Sequence, residues 1–117
     1  MVRAVELNVS SRSHGDHTIV TALGEIDLYT APRLHSELSG VVASAAPASR
    51  VTVDLSGVDF CDSTGMNVLL SSLRQAKERG VEFELAAPRP AVKKILQVTG
   101  LDGVFTISDE QAPVAGK

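Results

Sequence analysis

Between Asp59 and Leu70 the chain reads DFCDSTGMNVLL, and this stretch gathers the groups that could do chemistry. Two hydroxyls, Ser63 and Thr64, stand between the carboxylate of Asp62 and Gly65, and an apolar run follows at once. A Ser, Thr or Asp directly before such a run is first of all a helix N-cap, because its side-chain oxygen accepts from a backbone N–H left without an acceptor. Asp62, Ser63 and Thr64 all meet that description. A nucleophilic Ser63 would also need a base within hydrogen-bond reach and donors for an oxyanion. The strand–turn–helix setting suits one, but CDSTG lacks the glycine two residues before the serine that the sharp G-x-S-x-G turn requires. The histidines, His14, His17 and His35, lie early in the chain and read as surface residues rather than bases. These residues argue against a hydrolase.

Other chemistries fit less well. A metal site would have to be built from His14, Asp16 and His17 in one short polar loop, which reads as solvated. A phosphate-cradling loop needs several glycines and a lysine, and here Gly65 stands alone. An aspartyl phosphoacceptor at Asp54 would need regular βα alternation, further acidic neighbours and a downstream lysine on a strand end. What remains is modification of Ser63 by another enzyme. A residue at a helix start is exposed, and backbone N–H groups there can accept an anion. Phosphorylation would add about −1.5 to −2 charges beside Asp62. The helix would survive, since its dipole favours negative charge at that end, while a docking surface at that place would be spoiled.

The elements that must position this segment follow from periodicity. AVELNVS alternates Val5, Leu7 and Val9 against Glu6 and Asn8, as a half-buried strand does. SRSHGD reads as a polar loop and HTIVTAL as a second strand, so the two form an antiparallel hairpin. After GEIDLY, Thr30 is placed to cap a helix with Pro32 in its first turn. Leu34, Leu38, Val41 or Val42, and Ala45 recur on one face of that helix. RVTVDL is a third strand and SGVDFCDS a loop. From Thr64 the period becomes helical, with Met66, Leu69 or Leu70, Leu73 and Ala76 as the buried stripe. Opposite it, Ser63, Asn67, Ser71, Arg74 and Glu78 share a polar stripe that begins at the candidate modification site. KERG ends the helix, and VEFEL is a fourth strand with Glu82 and Glu84 on its wet face. PRPAVKKILQVTGL is a third helix that Gly100 can close in the left-handed conformation. VFTI is a last short strand, and SDEQAPVAGK a helical turn or frayed tail. The order ββαβαβαβ predicts a mixed sheet of about five strands: an opening antiparallel hairpin, then parallel units joined by right-handed crossovers, with helices mainly on one face.

Composition excludes several classes. The 117 residues favour a single domain large enough for one core. Tyr29, Phe60, Phe83 and Phe105 are the aromatics, too few for a base-stacking surface. The net charge of −3 and the lack of a basic run argue against nucleic acid. Cys61 is the sole cysteine, which fits a reducing compartment. No run is long and apolar enough to insert in a membrane, and the start of the chain has no signal-peptide core, so the expected location is cytoplasmic.

Three segments together resemble the STAS domain of the bacterial anti-sigma-factor antagonists: GEIDLYTAPRL (24–34), VTVDLSGVDFCDSTGMNVLL (51–70) and PAVKKILQVTGL (90–101). The resemblance spans nearly the whole chain, and the central segment is its specific part. It implies one STAS domain over residues 1–117, with about 111–117 as a flexible tail. It implies that Ser63, the serine of a D-S-S/T-G motif completed by Asp62, Thr64 and Gly65, is phosphorylated. The kinase it implies is the partner anti-sigma factor, an ATP-binding protein of histidine-kinase-like ATPase fold. The unphosphorylated antagonist would bind that partner and release the sigma factor, and a metal-dependent serine/threonine phosphatase would restore it. Asp27, the acidic residue of the G-E-I/L-D motif, would lie near Ser63. The partner-binding set is then Asp27, Asp62, Ser63, Thr64, Gly65, Asn67, Ser71 and Arg74, with no catalytic residue, metal or cofactor. Many members carry a second glycine where this chain has Asn67, on the docking stripe, so partner choice could differ. Cys61 stands where an apolar residue is common and reads as a packed thiol. The rival reading is a STAS module acting as a fixed scaffold in a signalling or transport complex, without phosphate turnover. An enzyme using Ser63, or nucleotide binding at the same loop, are further rivals.

Overall fold

The computed structural model of the chain describes residues 7–110. Val5, Glu6 and the expected tail at 111–117 lie outside them. The elements run β1 (Leu7–His14), β2 (His17–Ile26), α1 (Ala31–Ser44), β3 (Arg50–Cys61), α2 (Ser63–Glu78), β4 (Glu82–Ala86), α3 (Pro90–Val98), a 3-10 turn (Leu101–Gly103) and β5 (Thr106–Ser108). One five-stranded sheet forms in the order β1-β2-β3-β4-β5. β1 and β2 are antiparallel, and β2, β3, β4 and β5 are parallel. Three crossovers step across the sheet in one direction. With the usual right-handed connection, each helix lands on the same face. The core agrees: Val20, Val53 and Leu85 from three adjacent strands join Leu38 of α1, Leu69 of α2 and Leu96 of α3 in one cluster.

Sequence expectation and structure part at several places. SRSHGD is not a loop: β1 runs on to His14, and the turn is only Gly15 and Asp16, with Gly15 at φ +59°. β1 is the sheet's outer strand, so polar residues cost little there, and the Ser13 and Thr18 hydroxyls bond across the pair at 2.9 Å. SGVDFCDS is likewise mostly strand, because β3 continues to Cys61. Its register against β2 slips between Thr21 and Leu23 and again between Gly24 and Glu25, which marks two β-bulges. Thr30 holds the N-cap position of α1 but makes no cap bond. Its hydroxyl accepts from Asp27 N–H and donates to Glu25 O, both at 2.8 Å, inside the preceding loop. Finally, β5 starts two residues late. Val104 and Phe105 N–H both donate to Leu101 O, so the 3-10 turn after Gly100 (φ +77°) uses up the start of VFTI.

The sheet's other face carries a polar chain. His17 is half-buried rather than a free surface residue. Thr52 Oγ1 donates to Glu84 Oε2 at 2.8 Å, and having one proton it must accept from His17 Nε2–H at 2.7 Å. Glu84 is therefore half-buried and bonded, while Glu82 is exposed as expected.

Candidate functional site

The parallel strands deliver their carboxyl ends side by side. Ile26 at the end of β2 registers with Cys61 at the end of β3. Asp62 N–H then donates to Ile26 O at 3.1 Å, tying the β2–α1 loop to the start of α2. The pairing of β2 with β3 persists through both register shifts to this last pair. At the far ends of the helices, Arg79 Nε and Nη2 donate to Val42 O (3.0 Å) and Ala45 O (3.1 Å), clamping α2 to α1.

Among the three candidate caps, the structure selects Asp62. Its backbone is extended (φ −95°, ψ −172°), and its Oδ1 accepts from Thr64 N–H at 2.9 Å and Gly65 N–H at 3.2 Å. The two hydroxyls separate. Ser63, the first helical residue, is exposed, while Thr64 is half-buried and lines a groove between α1 and α2 with Leu28, Ala31, Pro32, His35 and Val68. Gly65 is buried against Ile26 and Cys61: a Cβ there would lie 2.5 Å from Ile26 Cγ2 and 2.6 Å from Cys61 Sγ. The expectation that the amides at this helix start would be open to an anion is thus corrected for Thr64 and Gly65, which Asp62 already holds.

The polar stripe of α2 is where periodicity placed it. Ser63, Asn67, Ser71, Arg74 and Glu78 are all exposed, and Met66, Leu69, Leu73 and Ala76 are buried. Asp27 sits in the adjoining loop, where its Oδ1 accepts from Tyr29 N–H (2.9 Å) and Thr30 N–H (3.0 Å). That carboxylate shapes the loop that presents Leu28 and Tyr29, which are 64% and 76% exposed. Sequence reasoning passed over this apolar pair. The available signal was two large apolar residues inside an otherwise polar strand–helix turn.

The other candidates disperse. His14 and His17 are cross-strand partners, but among the described residues no three His, Cys, Asp or Glu side chains converge on one point. Asp54 is buried in β3 and accepts from Ser56 N–H at 2.9 Å. Cys61 is packed in the core, and burial, helped by the Asp62 carboxylate, pushes its thiol up to about 12. Alkylation of the folded protein at pH 8–9 is therefore expected to be far slower than in denaturant, because the thiolate is the nucleophile. The same shift makes the native state lose stability as pH rises from about 9 toward about 12, where the unfolded chain sheds this proton and the folded one does not. Equal alkylation rates in the folded and unfolded states would contradict the packing.

Comparisons with known proteins agree with this architecture. The family model described as "Mlab, STAS domain" matches residues 9–107. An anti-sigma-B factor antagonist of Listeria monocytogenes is 28% identical over 101 residues, 86% of this chain and 87% of that protein. The anti-sigma-F factor antagonist RsfB of Mycobacterium tuberculosis is 29% identical over 101 residues, 86% of this chain and 80% of that protein. The crystal structure of an anti-sigma factor antagonist from Mycobacterium paratuberculosis superposes with a TM-score of 0.81 at 29% identity, covering 92% of this chain and 90% of that one.

Proposed function

This chain belongs to the STAS domain family, and we propose that it is an anti-sigma-factor antagonist switched by phosphorylation of Ser63. Unphosphorylated, it binds an anti-sigma factor of histidine-kinase-like ATPase fold and frees the sigma factor. That partner phosphorylates Ser63 and so ends binding, and a metal-dependent serine/threonine phosphatase reverses the mark. The protein acts in the cytoplasm as a regulator rather than a catalyst.

One observation carries the reading: Ser63 is an exposed hydroxyl at the head of an exposed polar stripe, with Asp62 beside it. The names of the relatives support the partner class. Physically, the switch requires little. A hundredfold loss of affinity is about 2.8 kcal/mol. A dianion pressed against a matched surface supplies repulsion of that order. The fold stays, because negative charge suits the start of α2.

Incubation with ATP and a candidate ATP-binding anti-sigma factor, followed by intact mass, tests it. Wild type is expected to gain a single phosphoryl group and Ser63→Ala none. Absence of any gain with every candidate that binds would favour a scaffold without phosphate turnover.

A further inference from the structure

A helix begins with four backbone N–H groups that have no acceptor within it. In α2 three of the four are engaged: Asp62 N–H by Ile26 O, and Thr64 and Gly65 N–H by Asp62 Oδ1. These are the donors that a phosphate at a helix start ordinarily takes. A phosphate on Ser63 would find these three occupied, the Thr64 and Gly65 N–H groups by a carboxylate.

Resting on the reading of Ser63 as phosphoacceptor, we propose that Asp62 is the positioning residue of the switch: its carboxylate withholds the Thr64 and Gly65 amides from the phosphate and keeps the dianion turned outward, toward the surface that the partner covers. Asp62 is well held for this. Its N–H is bonded to Ile26 O at 3.1 Å and its carbonyl accepts from Met66 N–H at 3.0 Å. The carboxylate reaches two amides from one anchored backbone, so turning away would leave both N–H groups without a partner. Were the amides open, the phosphate would fold back onto them. The N–H dipoles would then offset part of its charge, and the partner would meet less repulsion. The motif thus places two negative groups side by side for a reason beyond capping. The first occupies the Thr64 and Gly65 donors, so that the second is turned toward the interface.

The test uses the full chain carrying phosphoserine at position 63, installed during translation, in wild type, Asp62→Asn and Asp62→Gly. Asn and Gly are both tolerated at N-caps, so α2 persists in each, and circular dichroism verifies it. Three readouts are taken: the phosphate's second ionisation by phosphorus NMR, the Thr64 and Gly65 amide protons through that titration, and the fold-loss of partner affinity on phosphorylation. In wild type the ionisation is expected above the ordinary value of about 6, with both amides indifferent to it. In Asp62→Gly the ionisation falls, both amides move downfield with it, and the affinity loss shrinks by about tenfold. Asp62→Asn lowers the ionisation by removing charge, yet leaves the amides on its side-chain carbonyl. If the wild-type amides titrate downfield as in the glycine variant, or if all three proteins share one phosphate ionisation, the role of Asp62 is wrong. Equal partner affinity of phosphorylated and unmodified wild type would instead overturn the Ser63 switch itself, whatever the amides do.

Discussion

Ser63→Asp and Ser63→Glu are expected to weaken binding of the anti-sigma factor by about tenfold or more, equivalent to about 1.4 kcal/mol, while the far-UV circular dichroism stays that of the wild type. The first helical position tolerates an acid because the amide end of the helix favours negative charge. The cap is untouched, since Asp62 and not Ser63 holds Thr64 and Gly65 N–H. The affinity loss therefore comes from the surface rather than from unfolding. A carboxylate has less charge than a phosphate, so the effect should fall short of true phosphorylation. Ser63→Ala is expected to bind as tightly as the unmodified protein and to resist inactivation by ATP. Calorimetric titration of the partner into each variant decides the matter, and equal affinity for wild type and both acidic variants would end the switch model.

The second large effect is on stability. Gly65→Ala is expected to destabilise the protein, although Ala exceeds Gly as a helix former by about 1 kcal/mol. The new methyl would sit 2.5 Å from Ile26 Cγ2 and 2.6 Å from Cys61 Sγ, and overpacking of a tight core costs roughly 1–3 kcal/mol. Packing should outweigh propensity and lower the melting temperature by several degrees. Part of the loss should return in Gly65→Ala combined with Cys61→Ala, because removing Sγ opens the space, and the two changes will then not add. A Gly65→Ala protein at least as stable as wild type would show that α2 does not approach Ile26 as closely as described. The same glycine bears on function. It lets the start of α2 sit against the end of β2, and so fixes where Ser63 emerges.

Much of this molecule was legible from local pattern. Period-two alternation located the strands and the change to helical period after Thr64 located α2, because each reports which side chains face a core. The polar and aliphatic stripes of α2 needed nothing more than residue spacing. Gly100 closed α3 for a reason intrinsic to glycine, its ease at positive φ. Where local pattern misled, neighbours had decided. The polar residues 11–14 read as loop but are strand, since pairing with β2 satisfies their backbone. Likewise β3 outran its alternation, because bulges keep it in register with a partner that the spacing alone does not reveal.

The chain's own order of residues determined the mixed sheet, the three helices and the location of a lone exposed serine at a helix start, since these depend on periodicity and on what each residue type prefers. It left the roles of Asp62, Ser63 and Thr64 interchangeable, because all three can cap. Only the tertiary structure told them apart. The bond from Asp62 N–H to Ile26 O and the burial of Gly65 against Ile26 and Cys61 hold the start of α2 against the end of β2. There the carboxylate of Asp62 accepts from the amides, Thr64 lines the groove and Ser63 is exposed.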